Sequence, residues 1–142
     1  MSRARRLAHG KLVTPQEALI ELHTQHDSLR ALMDVCEQLA DELDDGGGSL
    51  TRLTQLLAEL RSTFEAHNRF EESLLRPILR RAGVFDELRL DTVISEHVGD
   101  HLAIHQRLGD RPTAELRATM NMLRDHLATE ERYFARLPRL PP

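Results

Sequence analysis

Apolar residues recur along most of this chain at alternating steps of three and four, the spacing that keeps side chains on one face of an α-helix. One series joins Leu19, Leu22, His26, Leu29, Met33, Cys36, Ala40 and Leu43. A second joins Leu50, Leu53, Leu57, Leu60, Phe64, His67, Glu71, Leu74 and Ile78. A third joins Leu90, Ile94, His97, His101, Ile104 and Leu108, and a fourth face is centred on Leu116, Met120, Leu123, Leu127 and Phe134. The pattern predicts four amphipathic helices.

Capping and breaking residues set their ends. Thr14-Pro15-Gln16-Glu17 is a capping box with proline at the first helical position, so the first helix should start there and stop at Asp44-Asp45-Gly46-Gly47-Gly48. Ser49 caps a second helix running from about Leu50 to Arg81, which Pro77 should kink or shorten and Gly83 should end. The third helix is expected over roughly Asp86 to Leu108. The fourth should span about Thr113 to Arg136, with Asp110 or Thr113 as its cap and Pro138, Pro141 and Pro142 beyond it. Residues 1–13 read as an arm, 14–137 as one domain and 138–142 as a tail. Long helices joined by short connections make an antiparallel up-down-up-down four-helix bundle, an all-α fold.

The seams carry polar residues where packing calls for hydrocarbon. His26 comes from the first helix, His67 and Glu71 from the second, and His97 and His101 from the third. His126 borders the fourth apolar face. At about 100° per residue Glu130 lies about 40° from His126, between it and the apolar centre, whereas Glu131 lies about 140° away on the far side. Burying even a neutral polar group without a partner costs roughly 2–7 kcal/mol, and a charge costs more. All seven sit near the middle of their helices, at one depth in an antiparallel bundle.

Composition narrows the chemistry. The chain has 142 residues and a net charge of −4 with both signs mixed, which excludes the concentrated basic face of a nucleic-acid binder. No apolar run reaches a membrane span, and the first ten residues lack the apolar stretch of a secretory signal, so the cytoplasm is expected. A single cysteine, Cys36, forms no internal disulfide and removes thiolate metal sites. Eight histidines are the unusual feature. Imidazole nitrogen with carboxylate oxygen suits iron, zinc or manganese. If Glu71 and Glu130 bridge two six-coordinate ions, the five imidazoles and a bridging oxo or hydroxo group leave one position open, as binding O2 or NO requires.

With His26, His67-x-x-x-Glu71, Glu96-His97-x-x-x-His101 and His126-x-x-x-Glu130 in this order, the sequence resembles the hemerythrin family, including the bacterial HHE cation-binding domains, over about Thr14 to Leu137. The resemblance implies two iron ions bridged by an oxo or hydroxo group, in a protein that binds O2 or NO or reacts with reduced oxygen species. It also admits iron handling, repair of damaged iron centres and sensing. Oxygen-carrying members have Asp five residues after the last His. That position is Glu131 here, while Glu130 has the four-residue spacing of many HHE domains.

The expected protein is thus more a metal and diatomic-ligand binder than an enzyme, a monomer or homodimer with an unnamed redox partner. An enzyme would need a proton donor, for which Tyr133, His23 and His105 are the candidates. His105 lies off its seam and His23 one position off, so both are expected at the surface or behind a ligand. His9 should be in solvent. Glu72, Glu96 and Asp100 are read as a solvated face, and Cys36, Met33, Phe64, Phe70 and Phe134 as core. Gly99 is expected to let a neighbour approach closely.

Overall fold

The computed structural model describes residues 5–6, 12–83, 86–109 and 115–136. Four helices form the bundle: α1 (Pro15–Asp44), α2 (Leu50–Ala82), α3 (Glu87–Gly109) and α4 (Leu116–Ala135). They pack in a ring, α1 on α2, α2 on α3, α3 on α4 and α4 on α1, and among the described residues the backbones of diagonal helices do not approach closely. Ahead of α1, β1 (Arg5–Arg6) pairs antiparallel with β2 (Leu12–Val13), so the arm holds a small ribbon that periodicity did not predict.

The helix ends follow the local chemistry. Thr14 Oγ1 accepts a hydrogen bond from the Glu17 amide at 3.2 Å, and Ser49 Oγ accepts one from the Arg52 amide at 3.1 Å. Asp86 does the same for α3 through the Arg89 amide at 2.8 Å. Gly83 closes α2 in the left-handed region at φ 70°, where a Cβ would be strained. Pro77 does not shorten α2, which continues to Ala82. The expected caps of α4 lie outside the described residues; Glu115 stands at its N-cap without a side-chain hydrogen bond.

Burial matches the seams. Leu29, Met33, Cys36, Leu57, Leu60, Phe64, Ile104, Met120, Leu123 and Leu127 form one continuous core. Burial pushes the Cys36 thiol up to about 11, so this cysteine behaves as a small hydrophobe. A second apolar group around Ala18, Leu74 and Ile78, with half-buried Phe70 and Phe134, closes the other end. The polar positions fall between these two groups, which is why the site has apolar layers above and below it. Leu50 departs from its seam: it is exposed in the first turn of α2, before the ring of helices closes around the chain. Gly99 departs too, since a Cβ there would meet nothing within 4 Å; no neighbour approaches it.

Candidate metal centre

The structure brings all seven predicted donors together. His26, His67, Glu71, His101 and Glu130 are buried, and His97 and His126 are nearly so. Two groups could each hold a metal ion, His97, His101, His126 and Glu130 in one and His26, His67, Glu71 and Glu130 in the other, with donor atoms within 4.8 Å of one another.

The carboxylates sit between two sets of rings. Glu71 Oε2 faces His67 Nε2 at 3.2 Å and His26 Nε2 at 3.9 Å, while its Oε1 faces His101 Nε2 at 3.2 Å and contacts His97 Nε2. Glu130 is shared less evenly. Its Oε2 faces His97 Nε2 at 2.7 Å and His101 Nε2 at 3.6 Å; its Oε1 faces His126 Nε2 at 3.3 Å and His26 Nε2 at 3.4 Å. Glu71 thus presents one oxygen to each half of the site, while Glu130 gives Oε2 to one half and sets Oε1 between His126 of that half and His26 of the other, so both carboxylates reach the two halves as a bridging ligand must. One half has three imidazoles and the other two.

The donors are also unsatisfied. The Nε2 atoms of His26, His67, His101 and His126, Oε2 of Glu71 and both oxygens of Glu130 are buried without a hydrogen-bond partner. Native interiors rarely tolerate even a few such atoms, and here they converge on one volume. This donor set fits borderline divalent cations, which would replace the missing partners and offset two buried negative charges.

Without cations the histidines compensate the carboxylates. Burial works against protonated His26, yet Glu130, Glu71 and Glu131 outweigh it and hold the ring at about 10. The same balance, with Glu130 and Glu71 the main counterweights, raises His101 to about 10 and His97 to about 9. Burial would push the Glu71 carboxyl up, but its contacts to Glu130 and to the surrounding imidazoles hold it well below the usual carboxylate range. Glu130 is pushed up by burial and by Glu71, and the rings of His101, His126 and His26 reverse that too.

Behind the donors lies a second layer that the sequence analysis missed or misplaced. His67 Nδ1 is 2.7 Å from Gln25 Oε1, His101 Nδ1 is 2.7 Å from Glu72 Oε2, and His26 Nδ1 is 2.8 Å from Glu131 Oε2. Glu72 is therefore not part of a solvated face. Glu131, expected on the far side of α4, instead turns towards α1, where Arg30 donates two hydrogen bonds to it at 2.8 and 2.9 Å. Arg30 holds the Glu131 carboxyl down, against burial and with help from His26, at about 2. An Nδ1–H donated to a carboxylate or amide oxygen leaves Nε2 as the lone-pair face pointing inward.

This layer predicts a graded effect. Glu72→Ala leaves the seven donors in place but frees the His101 ring, and metal affinity measured by chelator competition should fall about 10–100-fold. An unchanged affinity would mean that Glu72 plays no part in orienting the ring.

The remaining histidines stay outside. His23 is exposed, with Nδ1 3.7 Å from Glu131 Oε2, and His105 is half-buried, with Nε2 3.6 Å from Glu65 on α2. His9 is outside the described residues. Glu96 and Asp100 are exposed, as expected. No helix among the described residues is long and apolar enough to cross a membrane.

A family model, that of the hemerythrin HHE cation binding domain, matches residues 18–137. No curated protein and no solved structure matches the chain.

Proposed function

This chain belongs to the hemerythrin HHE cation-binding domain family, and from that premise we propose that its bundle holds two iron ions and binds O2 or NO, or reacts with a reduced oxygen species, in the cytoplasm. The observation that carries the reading is the division of the Glu71 oxygens between a three-imidazole and a two-imidazole half, with Glu130 Oε1 set between His126 of one and His26 of the other. His97, His101 and His126 would hold one ion, His26 and His67 the other, and both carboxylates would bridge. When bound, iron supplies the reversible redox change and the affinity for diatomic ligands that no side chain of this protein has.

The protein's own contribution is positional. Gln25, Glu72 and Glu131 fix the rings of His67, His101 and His26. The two-imidazole half offers fewer protein donors, so a small ligand belongs there. Phe64, packed edge-on against His101 at 5.8 Å, and the apolar layers around Leu60 and Leu74 keep bulk water from the inner faces of the rings.

Reaction with a reduced oxygen species has one observation in its favour. Tyr133 lines a cavity on the three-imidazole side that also touches His97, His126 and the shared carboxylate Glu130, and burial raises its phenol above its ordinary value, keeping a proton on that side of Glu130. His23 lines a smaller cavity beside His26 and Glu131, on the two-imidazole side.

Elemental analysis of the purified protein, with an optical spectrum taken reduced and again after exposure to air, tests the reading. Two irons per chain and a reversible spectral change on O2 support a binding protein. Rapid irreversible oxidation favours the reactive form. One zinc per chain, or a well-folded protein grown with iron that holds no metal, overturns the di-iron site.

A further inference from the structure

The ligand set is not equally sealed on all sides. The side chains of His26, His67 and His101 are only 1–3 % exposed, but His97 is 16 % and His126 11 % exposed. These two rings border a cavity of about 250 Å³ between α3 and α4, room for roughly eight waters at about 30 Å³ each. Leu75, Val93 and Phe134 give it apolar walls, and Glu130 lies at its inner end. Both oxygens of Glu130 are buried and have no hydrogen-bond partner. Glu96 and Asp100, four residues apart on α3 and flanking His97 in the chain, line the same cavity and are exposed. Neither has a cationic partner among the described residues, unlike Glu87 and Asp91 earlier on the same helix, which pair with Arg76 and Arg80.

We propose that this opening is the route by which divalent cations enter the centre, with Glu96 and Asp100 as the capture pair and His97, His126 and Glu130 as the first resident ligands met. The proposal rests on the metal-binding reading above and adds a direction of loading to it. Two unpaired carboxylates at the mouth of a low-dielectric cleft concentrate a hydrated cation there, and the cleft is wide enough for a partly hydrated ion. Water is then exchanged for ligands stepwise, first at the rim and then against the oxygens of Glu130. A second cavity, of about 220 Å³, reaches His26 from the α1–α4 side, but there Glu131 stands against the ring and Arg30 places a guanidinium that repels an entering cation, while Gln25 backs His67 and Glu72 backs His101.

Stopped-flow uptake of Co²⁺ by the full-length apoprotein, read from its visible bands, tests the route. For the double variant E96Q/D100N the uptake rate at low salt is expected to fall roughly tenfold, and its dependence on ionic strength to flatten. The cobalt bound at equilibrium should be unchanged. E59Q/D125N, which removes two exposed carboxylates elsewhere, should load at the wild-type rate. Val93→Phe, which narrows the wall without changing charge, should slow uptake at every ionic strength and keeps the test valid if the double variant fails to fold. Wild-type rates in both mouth variants overturn the route, as does a lower equilibrium content in E96Q/D100N, which would make those carboxylates resident ligands. A wild-type protein that takes up no metal overturns instead the reading on which the route rests.

Discussion

Glu71→Ala is expected to abolish the paired centre: elemental analysis should find at most one ion per chain, in a protein whose helical content is unchanged. The size of the effect follows from where the carboxylate sits. Glu71 is fully buried, and its two oxygens face four imidazoles drawn from α1, α2 and α3. Removing it takes one donor from each half at once, and two cations would then share the anionic compensation of Glu130 alone. A single ion in the three-imidazole half keeps His97, His101, His126 and Glu130, and so should survive better than one held by His26 and His67. Glu71→Gln separates charge from shape, because the amide retains one oxygen acceptor while losing the negative charge. It should fill the cavity, preserve folding and still fail to hold two ions. An alanine variant that binds two irons would remove Glu71 from the bridging role.

The residues that define this centre were legible because helical periodicity is a local property. His67 and Glu71 interrupt an otherwise apolar stripe at the stripe's own spacing, and the structure buries both. Angle alone separated Glu130 from Glu131, and Glu130 is the one inside. What periodicity could not give is what lies beside a helix. Glu131 is on the far side of α4 measured from His126, but that side faces α1, not water. The three supporting residues share a rule that is visible only in the fold. Gln25 adjoins His26 and reaches His67 on α2; Glu72 adjoins Glu71 and reaches His101 on α3; Glu131 adjoins Glu130 and reaches His26 on α1. Each is about 100° round from an inward donor, on the flank turned to the next helix. A polar residue next to a ligand was therefore the available signal, and ring order was the missing information.

The same arrangement holds Glu131 away from the inner faces of the rings. Its carboxylate is engaged by both Arg30 nitrogens and by His26 Nδ1, and a carboxylate drawn outward by a guanidinium is not free to turn inward. Glu130, one residue earlier, has both oxygens buried without a hydrogen-bond partner, and on the proposed function it is the one that serves as ligand.

Removing the metal should convert this centre from a staple into an alkaline weak point. In the apoprotein His26 and His101 titrate at about 10 and His97 at about 9, against 6.5 in an unfolded chain. The folded state therefore holds protons that the unfolded state has lost, and unfolding becomes easier as pH rises through that interval. Their stabilisation is complete below pH 6.5 and disappears as pH passes 9 to 10. All three rings share Glu71 and Glu130, so their losses are coupled, and the direction is the same for each: stability falls as pH rises through this window. Glu71 and Glu130 act oppositely: their folded values lie below 4.5, so their contribution holds above that pH and is lost on acidification. The metal-loaded protein should respond differently at high pH. Coordination needs Nε2 unprotonated, so loading expels the protons on His26, His97 and His101, and metal affinity rises as protons become scarcer. Thermal unfolding of chelator-treated and iron-loaded protein at pH 6, 7, 8 and 9 should give two curves that diverge with pH, the apoprotein falling steadily. Apoprotein stability that is flat or rises over this range would show that the imidazoles are not held protonated by Glu71 and Glu130.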